Sequence, residues 1–385
     1  ADEDLVPYAL TVQASGTGGR MRVQGEARHA DQAIVVRPSN VTVEGQVLAL
    51  APLSVELMGG VVEANGRADF NDPARARFDG TVAARGVRWQ GEQPDAVAVT
   101  GDGTFRVSGR LDGWTAEGRA TLLREQAKAD VQLEARGTAE RADIRRVRVA
   151  TPGGLMDGSG QVTWAPALAW QADVRLDDFD PGYLFPDWGG ALRGRVRSTG
   201  ATASNGVLAV KAEATDLGGR VRGRAIAGRA DATLRVPPGE DARIDGSGTV
   251  ALTIGGSRVD ARGRVADVLD IDARFAPLRL DDLMPGAAGE LRGTVKATGA
   301  RTRPDIAASL SGSGLRWDAY TAGTLRAEGR LPWAGGTGTL VLEGTDVQAG
   351  LAMGRVRVDA RGAFTALEVE ADADTEVGAI ALSGD

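Results

Sequence analysis

The feature that most constrains this chain is an alternation of apolar and polar residues that recurs along its whole length. Alternation with a period of two places apolar side chains on one face of a β-strand and polar side chains on the other. Helical patterns are nearly absent, and the best candidate, residues 122–128, gives way at once to renewed alternation. The sequence therefore predicts many strands that are apolar on one side. The clearest runs are 41–43, 53–57, 131–135, 250–254, 269–275, 340–342 and 356–360.

Glycine separates many of these runs. It supplies 54 of the 385 residues, about twice its ordinary share. Glycine-centred breaks recur roughly every ten to twelve residues, which is typical of the turns in an antiparallel meander. We therefore predict turns at residues 17–19, 157–158, 217–219, 245–246 and 335–336.

The chain also repeats itself. The segment 176–182 (LDDFDPG), followed by 190–201, returns as 280–286 (LDDLMPG), followed by 289–300. Repeats of this kind build arrays in which each unit completes its buried face against its neighbours. We predict one continuous array over residues 1–385, a segment of a longer protein, with repeat units at approximately 85–190, 191–290 and 291–385.

The usual signatures of enzymes and of nucleic-acid binding are missing. The chain has no cysteine and a single histidine, and it lacks a dinucleotide fingerprint, a P-loop and a Gly-x-Ser-x-Gly elbow. Its net charge is −7 with both signs interspersed, whereas phosphate backbones require clustered positive charge. We predict that it is not an enzyme and that it has no catalytic residues, no cofactor, no metal site and no nucleic-acid partner.

Two acidic pairs, Asp177–Asp178 and Asp281–Asp282, precede Pro-Gly turns at equivalent places in the repeat. Paired carboxylates serve in glycosidases and in calcium sites, so both are alternative interpretations of these pairs. Asp is also common in turns because it bonds to nearby backbone amides. The equivalent positions favour this structural role.

The apolar faces of the strands need a cover, and two solutions fit the sequence. A second sheet could close the face into a sandwich, or a single sheet could curl into a trough whose lining accepts an acyl chain. The chain holds only seven Phe, seven Trp and three Tyr, too few for the aromatic girdles of an outer-membrane barrel. For the trough we predict a lining of Val250, Leu252, Ile254, Leu269, Ile271, Phe275, Leu340, Leu342, Val356 and Val358.

The repeat units resemble the TamB family of proteobacterial envelope proteins, within the wider AsmA-like group. Residues 176–188 running into 190–200 carry the resemblance, as do residues 289–299 with 303–306 and 314–317. The resemblance implies an all-β, elongated, twisted, mainly antiparallel β-groove with a U-shaped, taco-like cross-section and a hydrophobic interior. It also implies a periplasmic location, an inner-membrane anchor outside this segment, and a TamA-type outer-membrane barrel as partner of the full-length protein.

The function implied is that of a bridge-like lipid transfer protein, which carries phospholipids by their acyl chains between the inner and outer membranes of a Gram-negative bacterium. An alternative role is an assembly factor, or chaperone, for outer-membrane β-barrel proteins that receives client strands at its strand edges. A repetitive scaffold or adhesin, with its apolar faces fully paired, would bind no lipid. The sequence leaves all three open.

Overall fold

The computed structural model describes residues 9–29, 32–72, 76–89, 98–183, 188–239, 243–284, 286–333, 337–375 and 378–384. Almost all of these residues lie in β-strands. The helical exceptions are a 3₁₀ helix, Pro181–Tyr183, and a single turn of α-helix, α1, Leu280–Leu283. Neither helix in the described part of the chain is long or apolar enough to cross a bilayer. The predicted turn at 335–336 lies outside the described residues.

The chain divides into two units, residues Ala1–Ala191 and Leu192–Asp385. The strands of unit 1 are β1 Ala9–Thr17, β2 Arg20–His29, β3 Gln32–Glu44, β4 Val47–Leu57, β5 Gly60–Asp69, β6 Arg77–Trp89, β7 Val99–Arg110, β8 Gly113–Arg124, β9 Ala127–Gly137, β10 Arg141–Thr151, β11 Gly154–Thr163 and β12 Ala169–Phe179.

Strand β13, Gly190–Thr202, begins at the end of unit 1 and lies almost wholly in unit 2. The remaining strands of unit 2 are β14 Leu208–Val221, β15 Arg224–Val236, β16 Asp245–Ile254, β17 Ser257–Val265, β18 Val268–Arg279, β19 Ala288–Ala300, β20 Arg303–Trp317, β21 Tyr320–Leu331, β22 Gly338–Gln348, β23 Ala352–Ala363, β24 Ala366–Thr375 and β25 Gly378–Gly384.

Each unit is an antiparallel meander. From β1 to β12, and again from β14 to β25, every strand pairs with the next strand along the chain. Short hairpin turns therefore line two rims of each sheet. This arrangement confirms the predicted all-β, antiparallel, groove-forming fold class.

Directly paired residues point to the same side of a sheet, so the strand registers place side chains in cross-strand rows. In unit 2 a row that we call the central row runs through ten strands, β15 to β24. Its members are Gly228, Leu252, Val259, Phe275, Gly293, Leu310, Ala327, Leu342, Val358 and Ala371. All of them are apolar or glycine, and all are half-buried. One face of unit 2 is thus apolar without interruption across these strands.

The apolar faces are not closed into a sandwich core. The accessible surface of the chain is 24190 Å², whereas a compact monomer of the same mass exposes about 14,000 Å². Most fully buried apolar side chains in the described residues sit near hairpin turns, as Val221, Ala266, Leu331 and Ala363 do. The packed clusters therefore lie along the rims, and the middle of each apolar face stays partly open.

Several glycines predicted to form turns lie inside strands instead. Residues 157–158 belong to β11, 217–219 to β14 and 245–246 to β16, so these three turn predictions are wrong. A side chain at Gly158 would touch Val147 and Val174 at 3.2 Å, and one at Gly246 would meet Leu234 at 2.9 Å. These glycines are the small members of crowded apolar rows. The turn at Gly18–Gly19 is present.

The helical candidate at residues 122–128 is also a hairpin. Strand β8 ends at Arg124, Glu125 adopts a left-handed backbone with φ of 51°, and β9 begins at Ala127. The apolar pair Leu122–Leu123 fits a helical pattern although it lies at the end of a strand, just before a turn. The sheet pairing on both sides decides the conformation.

Two glycines on the apolar face of unit 2 adopt a positive φ that disfavours other residues. Gly293 in the central row has φ of 130°, and Gly329, one row away, has φ of 145°. A Cβ atom on Gly293 would lie 1.8 Å from the carbonyl oxygen of Ser309, and one on Gly329 would lie 2.0 Å from that of Thr339. The neighbouring strand backbone thus approaches within a distance that only glycine permits.

We expect Gly293→Ala to lower the free energy of unfolding by about 1–3 kcal/mol, because the substitution combines a disfavoured backbone conformation with a backbone clash. Gly218→Ala is the matched control, since its Cβ would have only one neighbour, at 3.9 Å. Urea unfolding followed by circular dichroism measures both. Equal stability of the two variants would contradict a requirement for glycine at position 293.

Candidate functional site

The candidate site is the apolar face of unit 2, and the structure brings all of the predicted lining residues together on it. Leu252, Phe275, Leu342 and Val358 belong to the central row. Each of the other residues lies two, four or six positions along a strand from a member of this row, and therefore on the same face. These others are Val250, Ile254, Leu269, Ile271, Leu340 and Val356. All ten side chains are half-buried. The role of these ten residues as the lining of a groove stays a prediction.

The row beside the central row is equally apolar. It contains Ala230, Val250, Ala261, Ala273, Val295, Ala308, Gly329, Leu340, Ala360 and Val369. Alanine, valine and glycine predominate, so the side chains of this row are short. Larger side chains such as Phe275 and Leu340 pair across the strands with Gly293 and Gly329. The surface offers apolar contact and no hydrogen-bonding side chain in either row.

The opposite face is polar and stays in water. The row behind the two apolar rows is Arg229, Ala251, Asp260, Arg274, Thr294, Ser309, Glu328, Val341, Asp359 and Glu370. Ion pairs are frequent there: Arg357 donates to Asp359 of the same strand over 2.6 Å and to Glu343 of the neighbouring strand. The hydrogen bond from Arg357 lowers the pKa of Asp359 below its usual range. One face therefore favours contact with apolar groups, and the other favours contact with water.

Helix α1 ties together the hairpins along one rim of unit 2. Asp282 is 4% exposed, and its carboxylate accepts bonds from the backbone N–H of Gly256 at 2.9 Å and from Ser257 Oγ at 2.8 Å. Arg224, at the β14/β15 turn, donates to Asp282 and also to Asp281 at 3.1 Å. Asp282 thus connects three successive turns, and we call this group the α1 clamp.

These contacts give the second acidic pair a structural explanation, since Asp281 and Asp282 both serve the clamp. In unit 1 a neighbouring residue outside the first pair, Asp180, accepts bonds from the backbone N–H groups of Gly182 and Gly190, both at 2.8 Å. Among the described residues no group of three or more His, Cys, Asp or Glu side chains is arranged to hold a metal ion.

Unit 1 carries a similar apolar row that the predicted lining omits. It runs through β4 to β12 and contains Leu53, Ala64, Val82, Phe105, Gly118, Leu133, Val147, Gly158 and Val174. Alternation at residues 53–57 and 131–135 marked two of these strands. The others are interrupted by glycine or arginine, so the sequence pattern alone gave too weak a signal.

Comparison with known proteins agrees with this architecture. A family model described as the TamB N-terminal domain matches residues 21–385. The chain belongs to the TamB family. It is also similar to the translocation and assembly module subunit TamB of Haemophilus influenzae, with 21% identity over 239 residues. That alignment covers 60% of this chain and 17% of the relative, so the chain spans less than a fifth of the length of that protein.

Membership of the TamB family supports a role of this chain in the bacterial envelope. It accounts for the long run of strands with one apolar face, which the resemblance of residues 176–188 and 289–299 had indicated. Because the relative is several times longer, its activity as a whole protein is not transferred to this segment.

The α1 clamp makes a quantitative prediction. Asp282→Ala would leave the Arg224 guanidinium, Ser257 Oγ and the Gly256 N–H without their shared acceptor, and removing one partner of a buried ion pair costs about 3–5 kcal/mol. Asp281→Ala removes a partly exposed partner and should cost at most about 1 kcal/mol. Urea unfolding midpoints measure both variants. Similar losses would show that the buried carboxylate does not anchor the rim.

Proposed function

We propose that this chain carries phospholipids along its apolar face in the periplasm, as part of an envelope protein that works between the inner and outer membranes. The observation that carries the proposal is a continuous apolar face, open over ten strands of unit 2, opposite a charged face. An open sheet of this kind gains stability when apolar matter covers it. An acyl chain supplies such cover without a second layer of protein.

The energetics of acyl-chain burial suit a ligand that moves along the surface. Burial of each methylene group contributes about 0.8 kcal/mol, so a tail of a dozen carbons on a half-open surface gains several kcal/mol. The two rows contain only Ala, Val, Leu, Phe and Gly, so no polar side chain in them creates a barrier to sliding. Headgroups remain hydrated at the open side. Transport on this surface is passive and requires no catalytic residue.

The wider setting belongs to the same proposal. The full-length protein is anchored in the inner membrane outside this segment and meets a TamA-type barrel in the outer membrane. The name of the Haemophilus relative, translocation and assembly module subunit, supports the alternative role in assembling outer-membrane proteins. In that role the apolar face would receive the lipid-facing side of a client strand, which is also apolar.

Two substitutions of adjacent residues test the lipid role. Leu252→Arg places a charge in the central row, whereas Thr253→Arg adds the same charge to the same strand on the exposed opposite face. We expect the first variant to lose most of the phospholipid that co-purifies with the wild-type chain and the second to retain it. Native mass spectrometry and lipid extraction measure the bound amount.

Circular dichroism shows whether Leu252→Arg keeps its strands. A folded Leu252→Arg protein that retains its lipid would contradict a lipid path over the central row. A wild-type chain that carries no phospholipid but protects unfolded outer-membrane barrels from aggregation would support the assembly role instead.

A further inference from the structure

A buried arginine lies at the rim of unit 1, at the end of a strand and on the apolar face. Arg124 is the last residue of β8, and its side chain points to the same face as Gly118 and Phe105 of the unit 1 apolar row. It is only 8% exposed. The guanidinium lies under the 3₁₀ helix, where Nη1 donates to the carbonyl oxygens of Gly182, at 3.3 Å, and Tyr183.

The charge of Arg124 has no carboxylate partner in the described part of the chain. Both of its hydrogen bonds to described residues use Nη1 and end on neutral carbonyls. A buried charge is costly unless an opposite charge accompanies it. Arg224, at the rim of unit 2, shows the usual solution, since Asp281 and Asp282 both accept from it.

Tyr183, whose carbonyl oxygen accepts from Arg124, carries an unsatisfied group. Tyr183 is 7% exposed, and its hydroxyl is the one buried side-chain N or O atom in the described residues that lacks a hydrogen-bond partner. Burial raises the pKa of this phenol above its ordinary value, and the positive charge of Arg124 partly opposes that rise. The hydroxyl is therefore a neutral donor close to an uncompensated cation, and buried hydroxyls of this kind normally have an acceptor.

We propose that Arg124 and Tyr183 form a binding site for a phosphate anion, and specifically for the phosphate group of a phospholipid whose acyl chains lie on the apolar face of unit 1. Guanidinium N–H groups match phosphate oxygens in a two-pronged geometry, and the phenol adds a third donor. Arg124 lies at the rim, at the edge of the apolar face. The headgroup of a lipid whose acyl chains cover that face would lie at this edge.

The lipid part of this inference rests on the proposed function, whereas the anion site itself does not. In unit 2, Asp281 and Asp282 neutralise Arg224. The acidic residues differ at aligned positions of the repeat. Asp282, within α1, is buried, whereas its counterpart Asp178 is exposed, at a left-handed backbone position with φ of 48°. One unit thus holds its rim with an internal ion pair, and the other presents a cation to a ligand.

Calorimetric titration of the whole chain with three probes tests the site. The probes are inorganic phosphate, short-chain phosphatidylglycerol below its micelle concentration, and diacylglycerol with the same tails. We expect Arg124→Gln to weaken phosphatidylglycerol binding about tenfold or more, the usual effect of losing charge-assisted hydrogen bonds. Diacylglycerol binding should be unchanged, because it depends on the apolar face alone.

Two further variants make the test specific. Arg119→Gln removes the same charge from the same strand on the exposed opposite face and should bind every probe as the wild type does. Tyr183→Phe removes one oxygen that has no protein partner, so it should keep its melting temperature and still lose severalfold in affinity for phosphatidylglycerol. This variant decides the matter if Arg124→Gln does not fold.

The outcomes separate the anion site from the groove. Inorganic phosphate that binds in an Arg124-dependent manner, without any preference for the lipid, would support the anion site and overturn its assignment to a headgroup. Arg124-dependent phosphate binding with no diacylglycerol binding at all would overturn the lipid role and keep the site. Unchanged phosphatidylglycerol affinity in both Arg124→Gln and Tyr183→Phe would overturn the inference.

Discussion

The structure depends on one constraint: a sheet that is apolar on one face must have that face covered, and within each unit the described residues do not cover it with a second layer. The registers carry apolar side chains from β15 to β24 without interruption, yet these side chains remain half-buried. Full burial occurs mainly at the rims, where turns and short helices pack together. Stability therefore comes from continuous backbone pairing and rim clusters, while the middle of the face is left for another apolar partner.

Glycine relieves crowding on this open face. A Cβ at Gly293 or Gly329 would collide with the backbone of the adjacent strand. The same residues allow large side chains such as Phe275 to lean across the strand. The α1 clamp then fixes one rim, because Asp282 joins three turns through bonds that exclude water. The groove is thus shaped by its smallest residues and held by its buried charges.

Sequence reasoning could reach the strands and their faces, because a period of two is a local property that sheet pairing preserves. It placed Val250, Leu252 and Ile254 on one face correctly, and the register then aligned them with Phe275 and Leu342 from other strands. It failed for glycine, since the crowding that favours glycine at residues 158 and 246 comes from strands that are neighbours only in space. It could not foresee the α1 clamp or the contacts of Arg124, because the partners are about sixty residues apart and no local pattern connects them.

The central claim is that acyl chains lie on the apolar face, and a photo-crosslinking scan of one strand in lipid-containing cells tests it most directly. A photoreactive residue is placed in turn at each position from Thr249 to Ile254 of β16. The account predicts phospholipid adducts at Val250, Leu252 and Ile254 and none at Thr249, Ala251 and Thr253. Adducts without this alternation, or an absence of lipid adducts at all six positions, would contradict it.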